Sequence, residues 1–218
     1  MGLRFALFRS GPMTISAGHV GVFARSRPEV ETADLQVHFL PLSTAKVLAG
    51  APGTRLDLDG FPGFTASVCQ LRPESRGTVT IASPDPAAAP AIRPHYLSSE
   101  IDRRTMIDGL KLLRRIAAQP AFAGYVDEEF LPGPAVAGDD DLLAYVRATG
   151  GTIFHPVGTC KMGADENAVV DDRLRVHGVD CLRVADCSIM PTLVSGNTNA
   201  PAIMIGEKAA HMIREDRR

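Results

Sequence analysis

The alternation of apolar and polar residues predicts three strands in the first half of the chain. Residues 35–42 (LQVHFLPL), 64–71 (FTASVCQL) and 77–83 (GTVTIAS) place β-branched and aromatic residues between turn formers, as strands do. The RPESRG segment between the second and third strands predicts a tight turn and therefore an antiparallel hairpin. Residues 1–34 show no clear period, so irregular connecting structure is predicted for them.

The apolar period changes to that of a helix after residue 98. Apolar residues at helical spacing predict a helix from an N-cap at Ser98 or Ser99 to about Ala118, with the polar positions from 102 to 115 facing water and Pro120 beyond its end. The segment 139–149 predicts a shorter helix, since acids fill its first turn and two glycines follow it. Residues 84–95 contain four prolines, which predicts an extended surface segment.

Short elements separated by loops are predicted for the last third of the chain. Residues 182–185 are interpreted as a buried strand that ends at Asp186, and residues 202–213 as a helix with a mostly apolar face. Pro201 suits the first position of that helix and Asn199 suits its cap. Strands followed by helices predict an α+β fold, with a mainly antiparallel sheet flanked by helices, rather than repeated βαβ units.

Composition and charge narrow the class of protein. The chain has 218 residues, of which 45% are hydrophobic, and its formal net charge is −2. Without a basic surplus, nucleic acid is not expected as a partner, and no apolar run approaches the ~20 residues that span a bilayer. The cysteines at 69, 160, 181 and 187 form no CxxC pair, and no secretion signal is recognised, so reduced, mostly buried thiols and a cytoplasmic location are expected.

His155 is the first candidate for chemistry. It precedes Pro156 within a glycine-rich loop, and this extended setting can expose the imidazole to a cavity as a general base. The alternative is an ordinary hydrogen-bonded interior histidine. The remaining histidines have no partner at metal-ligand spacing, so no metal site is expected.

Two further positions invite a functional interpretation. The SGNTNAP segment (195–201) would leave free N–H groups at a helix start, where an anion is stabilised, although an ordinary capped helix explains the same residues. An acid at the end of a strand, such as Asp186, can accept hydrogen bonds from ribose hydroxyls, or it can be a simple turn residue. Patterns for a serine nucleophile elbow, a zinc protease, a P-loop and the dinucleotide-binding G-x-G-x-x-G are absent from the sequence.

Several longer motifs, in order, resemble one enzyme family. FHPVGTCKMG (154–163) and the segment from AVVDDRLRVHGV to GEKAAHMI (168–213) look like the C-terminal region of the glucose-methanol-choline (GMC) oxidoreductases, of the choline dehydrogenase type. LRPESRGTVTIAS (71–83) and the segment 93–122 resemble the preceding part of that family. The resemblance implies a substrate-binding domain over 1–152 and a segment over 153–218 that returns to a flavin domain, whose N-terminal FAD-binding βαβ unit is expected to lie outside this chain.

The resemblance also implies roles for individual residues. His155 matches the catalytic histidine, and Asn199 lies at the position where the family uses asparagine or a second histidine. Asp186 matches an acid near the ribose and pyrophosphate of FAD, and Ala200 and Pro201 match the helix start near the flavin pyrimidine. In the implied reaction His155 removes the hydroxyl proton, Asn199 holds the alcohol oxygen, and hydride passes to flavin N5.

FAD is therefore the implied cofactor and a small alcohol the implied substrate, oxidised to an aldehyde or ketone. The electron acceptor is expected to be a quinone or oxygen, and a separate N-terminal FAD-binding portion is an expected partner. A choline-like substrate follows only from the overall resemblance, since the chain has no Trp and three Tyr for an aromatic cage. The alternative is a non-enzymatic fragment or binding module that holds no flavin by itself.

Overall fold

A computed structural model describes residues 2–11, 14, 18, 20–44 and 59–216 of the chain. Within it, the chain forms two units, each built from two separate segments. Unit one comprises Met1–Gln70 and Arg103–Gly151, and unit two comprises Leu71–Asp102 and Thr152–Arg218. Each unit has its own sheet, and the helices lie beside short antiparallel strands, so the predicted α+β class is confirmed.

The sheet of unit one has three antiparallel strands in the order β1-β2-β3. Its strands are β1 (Val20–Ala24), β2 (Leu35–Leu40) and β3 (Thr65–Gln70). In β2, Leu35 and Val37 are buried, and Val37 lies opposite Val68 of β3. A central strand of this composition is stable because branched side chains pack across the pleat on one face.

The helices of unit one begin and end where the sequence places charge and helix breakers. They are α1 (Gly2–Phe8), most of α2 (Glu100–Ala117) and α3 (Asp139–Thr149). Acids occupy the first turn of α2 and α3 and arginines the last turn, which matches the helix dipole. The predicted helices over 98–118 and 139–149 are confirmed to within about two residues.

Gly109 brings helix α2 close to the sheet. A Cβ atom at this position would lie 2.9 Å from Cγ2 of Val68 and 3.4 Å from Cδ2 of Leu35. Glycine weakens a helix interior by about 1 kcal/mol relative to alanine, and here that cost is offset because the sheet packs directly against the helix backbone.

Unit two contains a small sheet and a C-terminal helix. The sheet pairs β4 (Thr78–Thr80) with β5 (Ala91–Arg93), and the helix is α4 (Asn199–Glu215). One face of α4 packs on the loop-rich segment 157–190 and forms a core with it. The buried members of this core are Val170, Leu174, Ile189, Met190, Ile205 and Ala209.

Three predictions for local structure are wrong. Residues 1–34 are not all irregular, since α1 and β1 lie there, although several of these residues fall outside the described part of the chain. Residues 182–185 form no strand: Leu182 is 49% exposed, and only an isolated bridge joins Arg183 to Arg175. Asp102 is buried rather than facing water. The predicted extended surface segment 84–95 is confirmed: its residues are nearly all exposed, it contains no helix, and its end forms strand β5.

The hairpin predicted between β3 and β4 is also wrong, because β3 pairs with β2 and β4 with β5. The carboxylate of Asp102 accepts hydrogen bonds from the N–H groups of Glu74 and Ser75 at 2.9 and 2.8 Å. The turn in RPESRG is therefore tied to the first turn of α2, and it does not fold β4 back onto β3.

Ion pairs hold the end of helix α4 to the neighbouring loop. Nη2 of Arg173 lies 3.2 Å from Oε2 of Glu215 and 2.7 Å from Oδ1 of Asp216, which also pairs with Arg183. The hydrogen bond from Arg173 lowers the pKa of Glu215. Partial desolvation raises the pKa of Asp216, but the two arginines outweigh this effect and the net pKa is lowered.

Acidification is expected to loosen the end of helix α4. Because the pKa values of Glu215 and Asp216 are lower in the folded chain, their contribution is complete above the ordinary carboxyl range of about pH 4 and disappears as the pH falls through the lowered values. Hydrogen-exchange protection factors of the last turn should decrease over that interval. In Arg173→Gln, protection should start lower and change less with pH, and an equal pH response in this variant would contradict the assignment.

Candidate active site

Unit two places the His155 side chain against the residues that precede helix α4. Nδ1 of His155 lies 2.8 Å from Oγ1 of Thr198, and the Thr198 N–H also points at Nδ1 over a longer 3.4 Å. On the other side of the ring, Nε2 lies 2.8 Å from Nδ2 of Asn197. Both nitrogens of the imidazole therefore have a hydrogen-bond partner, and residues more than 40 positions apart in sequence meet here.

The two sides of the imidazole differ in exposure. Thr198, on the Nδ1 side, is 8% exposed, whereas Asn197, on the Nε2 side, is exposed and the ring itself is half-buried. Thr198 is held further by its main chain, because its carbonyl accepts hydrogen bonds from Ala202 N–H and from the Cys187 thiol. The Nδ1 side is therefore a fixed support, and Nε2 is the nitrogen that an external molecule can reach.

The loop that carries His155 has an unusual backbone. Phe154 has φ +63°, a left-handed conformation that is rare for an aromatic residue, and its N–H is held by Oγ1 of Thr152 at 2.9 Å. Its side chain is 83% exposed. Gly158 also has a positive φ of +88°, and a Cβ atom there would lie 3.3 Å from the Met190 carbonyl oxygen. The loop therefore turns sharply on either side of the imidazole.

The start of helix α4 differs from the prediction. The helix begins at Asn199 rather than Pro201, and Thr198, not Asn199, occupies the N-cap position. The Thr198 side chain forms no capping hydrogen bond because its hydroxyl lies against His155. The first helical hydrogen bond runs from Ala202 N–H to Thr198 C=O, so the N–H groups of Asn199 and Ala200 have no acceptor within the helix.

Asn199 itself is exposed in the first turn of α4. Among the described residues, it takes no part in the hydrogen bonds around the His155 ring, which involve its two predecessors, Asn197 and Thr198. The structure thus brings His155 to the start of this helix, where the resemblance places Asn199, and the side chains that contact the ring are those of Asn197 and Thr198. Ala200 is exposed and Pro201 half-buried at the same end.

Asp186 does not end a strand. It caps the short 3-10 helix Cys187–Ile189, and its Oδ1 accepts a hydrogen bond from the Ser188 N–H at 2.7 Å. The residue is exposed, and within the described part of the chain this is the bond that its carboxylate makes. Its second oxygen can therefore accept a hydrogen bond from a ligand.

The other candidate groups show no comparable arrangement. Of the cysteines predicted to be buried, Cys181 is exposed, and Cys160 and Cys187 are half-buried. Burial raises the pKa of the Cys69 thiol, in β3, which disfavours a reactive thiolate there. Among the described residues no cluster of three acids, histidines or cysteines could hold a metal ion, and no described helix combines the length and apolarity of a membrane span.

The sequence analysis does not identify Asn197 or Thr198, because the SGNTNAP pattern predicts only the start of a helix. Four polar residues stand before Pro201 in this segment, and the pattern gives no indication of which of them turns towards a residue 42 or 43 positions earlier. Only the resemblance linked His155 to this segment, and it pointed to Asn199.

A family model described as GMC oxidoreductase matches residues 73–206 of the chain. An alcohol dehydrogenase (acceptor) from Pseudomonas putida is 44% identical over 205 residues, which cover 94% of this chain and 36% of that protein. An oxygen-dependent choline dehydrogenase from Chromohalobacter salexigens is 42% identical over 192 residues, covering 88% and 33%. The chain thus spans about a third of the length of the curated relatives that it matches.

A solved structure supports the same relationship. The chain resembles an FAD-dependent oxidoreductase from Chaetomium thermophilum with a TM-score of 0.71 and 28% sequence identity. The similarity covers 86% of this chain and 29% of that one.

Proposed function

Because this chain belongs to the GMC oxidoreductase family, we propose that it contributes the catalytic base and part of the flavin site for the oxidation of an alcohol to an aldehyde or ketone. The observation that carries the proposal is the placement of His155 at the start of helix α4, with its Nδ1 on buried Thr198 and its Nε2 on the exposed side. An imidazole supported in this way can accept a hydroxyl proton at Nε2.

The residues present fit FAD, the cofactor named for the solved relative. The N–H groups of Asn199 and Ala200 and the positive end of the 17-residue helix α4 suit the electron-rich pyrimidine side of a flavin, with Pro201 beside them. Asp186 has an exposed carboxylate oxygen that can accept a hydrogen bond from a ribose hydroxyl. When bound, FAD supplies the acceptor for the hydride that leaves the alcohol carbon.

The chain's own residues then have separate tasks. Thr198 holds the imidazole from its Nδ1 side, so that the lone pair on Nε2 can receive the proton of the alcohol hydroxyl. Asn199, exposed in the first turn of α4, is proposed to hold the alcohol oxygen by hydrogen bonding. As the hydroxyl loses its proton, negative charge grows on the oxygen and hydride loss from the neighbouring carbon becomes easier.

The substrate and the domain roles are part of the proposal. The relatives named above act on alcohols and on choline, and a small primary or secondary alcohol is proposed here. Residues 1–152 are proposed as the substrate-binding part and 153–218 as the part that joins a flavin domain. A separate FAD-binding portion is a proposed partner, since the sequence of this chain contains no G-x-G-x-x-G motif.

Flavin retention is the direct test of the cofactor assignment. The purified chain is mixed with FAD, dialysed and examined for visible flavin absorption, with Asp186→Ala as a matched variant. Retained absorption that the variant weakens supports the flavin site proposed for this chain. A chain that stays colourless with added FAD holds no flavin by itself, as the alternative of a fragment or binding module states, and alcohol oxidation would then require the separate FAD-binding portion.

A further inference from the structure

Asn197 contacts Nε2 of His155, the ring nitrogen that accepts the proton in the proposed reaction. Its side-chain nitrogen Nδ2 lies 2.8 Å from Nε2, within the range of a good hydrogen bond. The opposite nitrogen, Nδ1, is engaged by Thr198 at 2.8 Å. In this arrangement neither ring nitrogen has a lone pair or proton available to an alcohol.

One of these two contacts is much easier to break than the other. Thr198 is buried and tied to the first turn of helix α4 through its carbonyl oxygen, so its release would disturb the packing of unit two. Asn197 is exposed and precedes the helix, so displacement of its amide from Nε2 moves no buried side chain. An incoming hydroxyl group would therefore exchange with Asn197.

We propose that Asn197 is a positioning residue, which holds Nε2 of His155 until the un-ionised hydroxyl group of an alcohol displaces its amide. The proposal rests on the proposed function of His155 as the base. An amide and a hydroxyl each offer both a donor and an acceptor, so either one pairs with an imidazole in either neutral tautomer. The exchange therefore replaces one hydrogen bond by a similar one, and the ring keeps its orientation on Thr198 throughout.

Carbethoxylation of histidine by diethyl pyrocarbonate tests the contact in the 218-residue chain without any cofactor. The reagent adds to an unprotonated ring nitrogen, and mass spectrometry gives the rate at each histidine. Asn197→Leu removes the hydrogen bond with little change in size, and Asn197→Asp keeps a hydrogen-bonding group of equal size. We expect leucine to raise the rate at His155 about fivefold, the factor that corresponds to one net hydrogen bond, and aspartate to leave it unchanged or lower.

The other histidines are internal controls for this experiment. His95 and His211 are exposed, and the rate at each of them should be the same in all three proteins. His177, whose Nε2 lies 3.0 Å from the Gly163 carbonyl oxygen, reports on the fold of unit two. If its rate rises in the leucine variant, Asn197→Ala replaces that variant, with the same expected increase at His155. An unchanged rate at His155, or an equal increase with leucine and aspartate, overturns the proposal.

Steady-state kinetics with choline and a neutral primary alcohol as probes separate displacement from a merely structural role. If Asn197 competes with the hydroxyl for Nε2, Asn197→Leu in the flavin-loaded protein lowers KM about fivefold, with a smaller decrease in kcat. A raised KM overturns the displacement. If the unchanged protein does not turn over these alcohols, or if His155→Ala retains full activity, the proposed function fails, and the carbethoxylation result still decides the contact itself.

Discussion

Replacing His155 with alanine is expected to lower the rate of alcohol oxidation by the flavin-loaded protein about 10²- to 10⁴-fold, the usual contribution of a positioned general base. The imidazole is the proposed acceptor of the hydroxyl proton, and alanine leaves no proton-accepting group beside Thr198. Flavin should stay bound, because the proposed flavin contacts are Asp186 and the residues at the start of α4. Measurement of kcat and kcat/KM, together with the visible flavin spectrum, checks both parts.

His211→Ala is the matched control for this variant. His211 is also an imidazole of unit two, but it is exposed on helix α4, where its Nε2 lies 3.0 Å from Oε1 of Glu215. Its removal should leave the rate within about twofold. Full activity in His155→Ala would show that another group takes the proton, and lost flavin would place His155 in the cofactor site instead.

Replacing Asp102 with alanine is expected to lower the free energy of unfolding by about 3 kcal/mol, a large share of the 5–15 kcal/mol typical of a domain. The side chain is 2% exposed, and its two carboxylate oxygens accept hydrogen bonds from the N–H groups of Glu74 and Ser75. Alanine would leave both N–H groups without this partner in a part-buried place. Urea denaturation of the variant and the unchanged chain measures the difference.

Two further variants show whether these hydrogen bonds cause the effect. Asp102→Asn keeps one acceptor oxygen but loses the charge, so its loss of stability should be smaller than that of alanine. Asp127→Ala removes an exposed carboxylate and should cost less than about 0.5 kcal/mol. If Asp102→Ala costs no more than Asp127→Ala, the carboxylate does not hold the 74–75 turn.

The longer helices could be predicted from the sequence because each has several independent signals. For Glu100–Ala117 the apolar spacing, the acids of the first turn, the arginines of the last turn and Pro120 all agree. Strand β1 has no such support: four of its five residues are exposed, so no alternation is visible. This strand forms because it pairs with β2, and the sequence of residues 20–24 alone does not indicate that pairing.

The pairing of the strands is the main feature of the fold that the sequence pattern predicts wrongly. The turn formers between β3 and β4 do not pair these strands; the N–H groups of Glu74 and Ser75 in that segment donate hydrogen bonds to Asp102, 25 residues beyond Gly77. Long-range capping of this kind leaves no periodic trace in sequence. Leu182 is a further case in which the local pattern misleads, because the apolar run that begins there predicts a buried strand although the segment lies at the surface of unit two.

Sequence motifs and the family resemblance identify some residues of the candidate site and not others. The motifs selected His155, Asp186 and the start of helix α4 as candidates, and the roles of these residues stay predictions. They did not identify Thr198 and Asn197, because which side chain of SGNTNAP turns towards the histidine is decided by φ and ψ in the cap. Conformation at a helix start is a property of tertiary packing, and polar composition alone leaves it open.

Thr198 belongs to helix α4 through its carbonyl oxygen and to the histidine through its hydroxyl. This hydrogen bond links the proposed proton acceptor to the positive end of the helix, so a displacement of the first turn of α4 also disturbs the position of the imidazole. Thermal fraying of the first helical turn would release both at once. Activity in this protein should therefore fail in a single step on heating, together with the order of that turn and ahead of global unfolding.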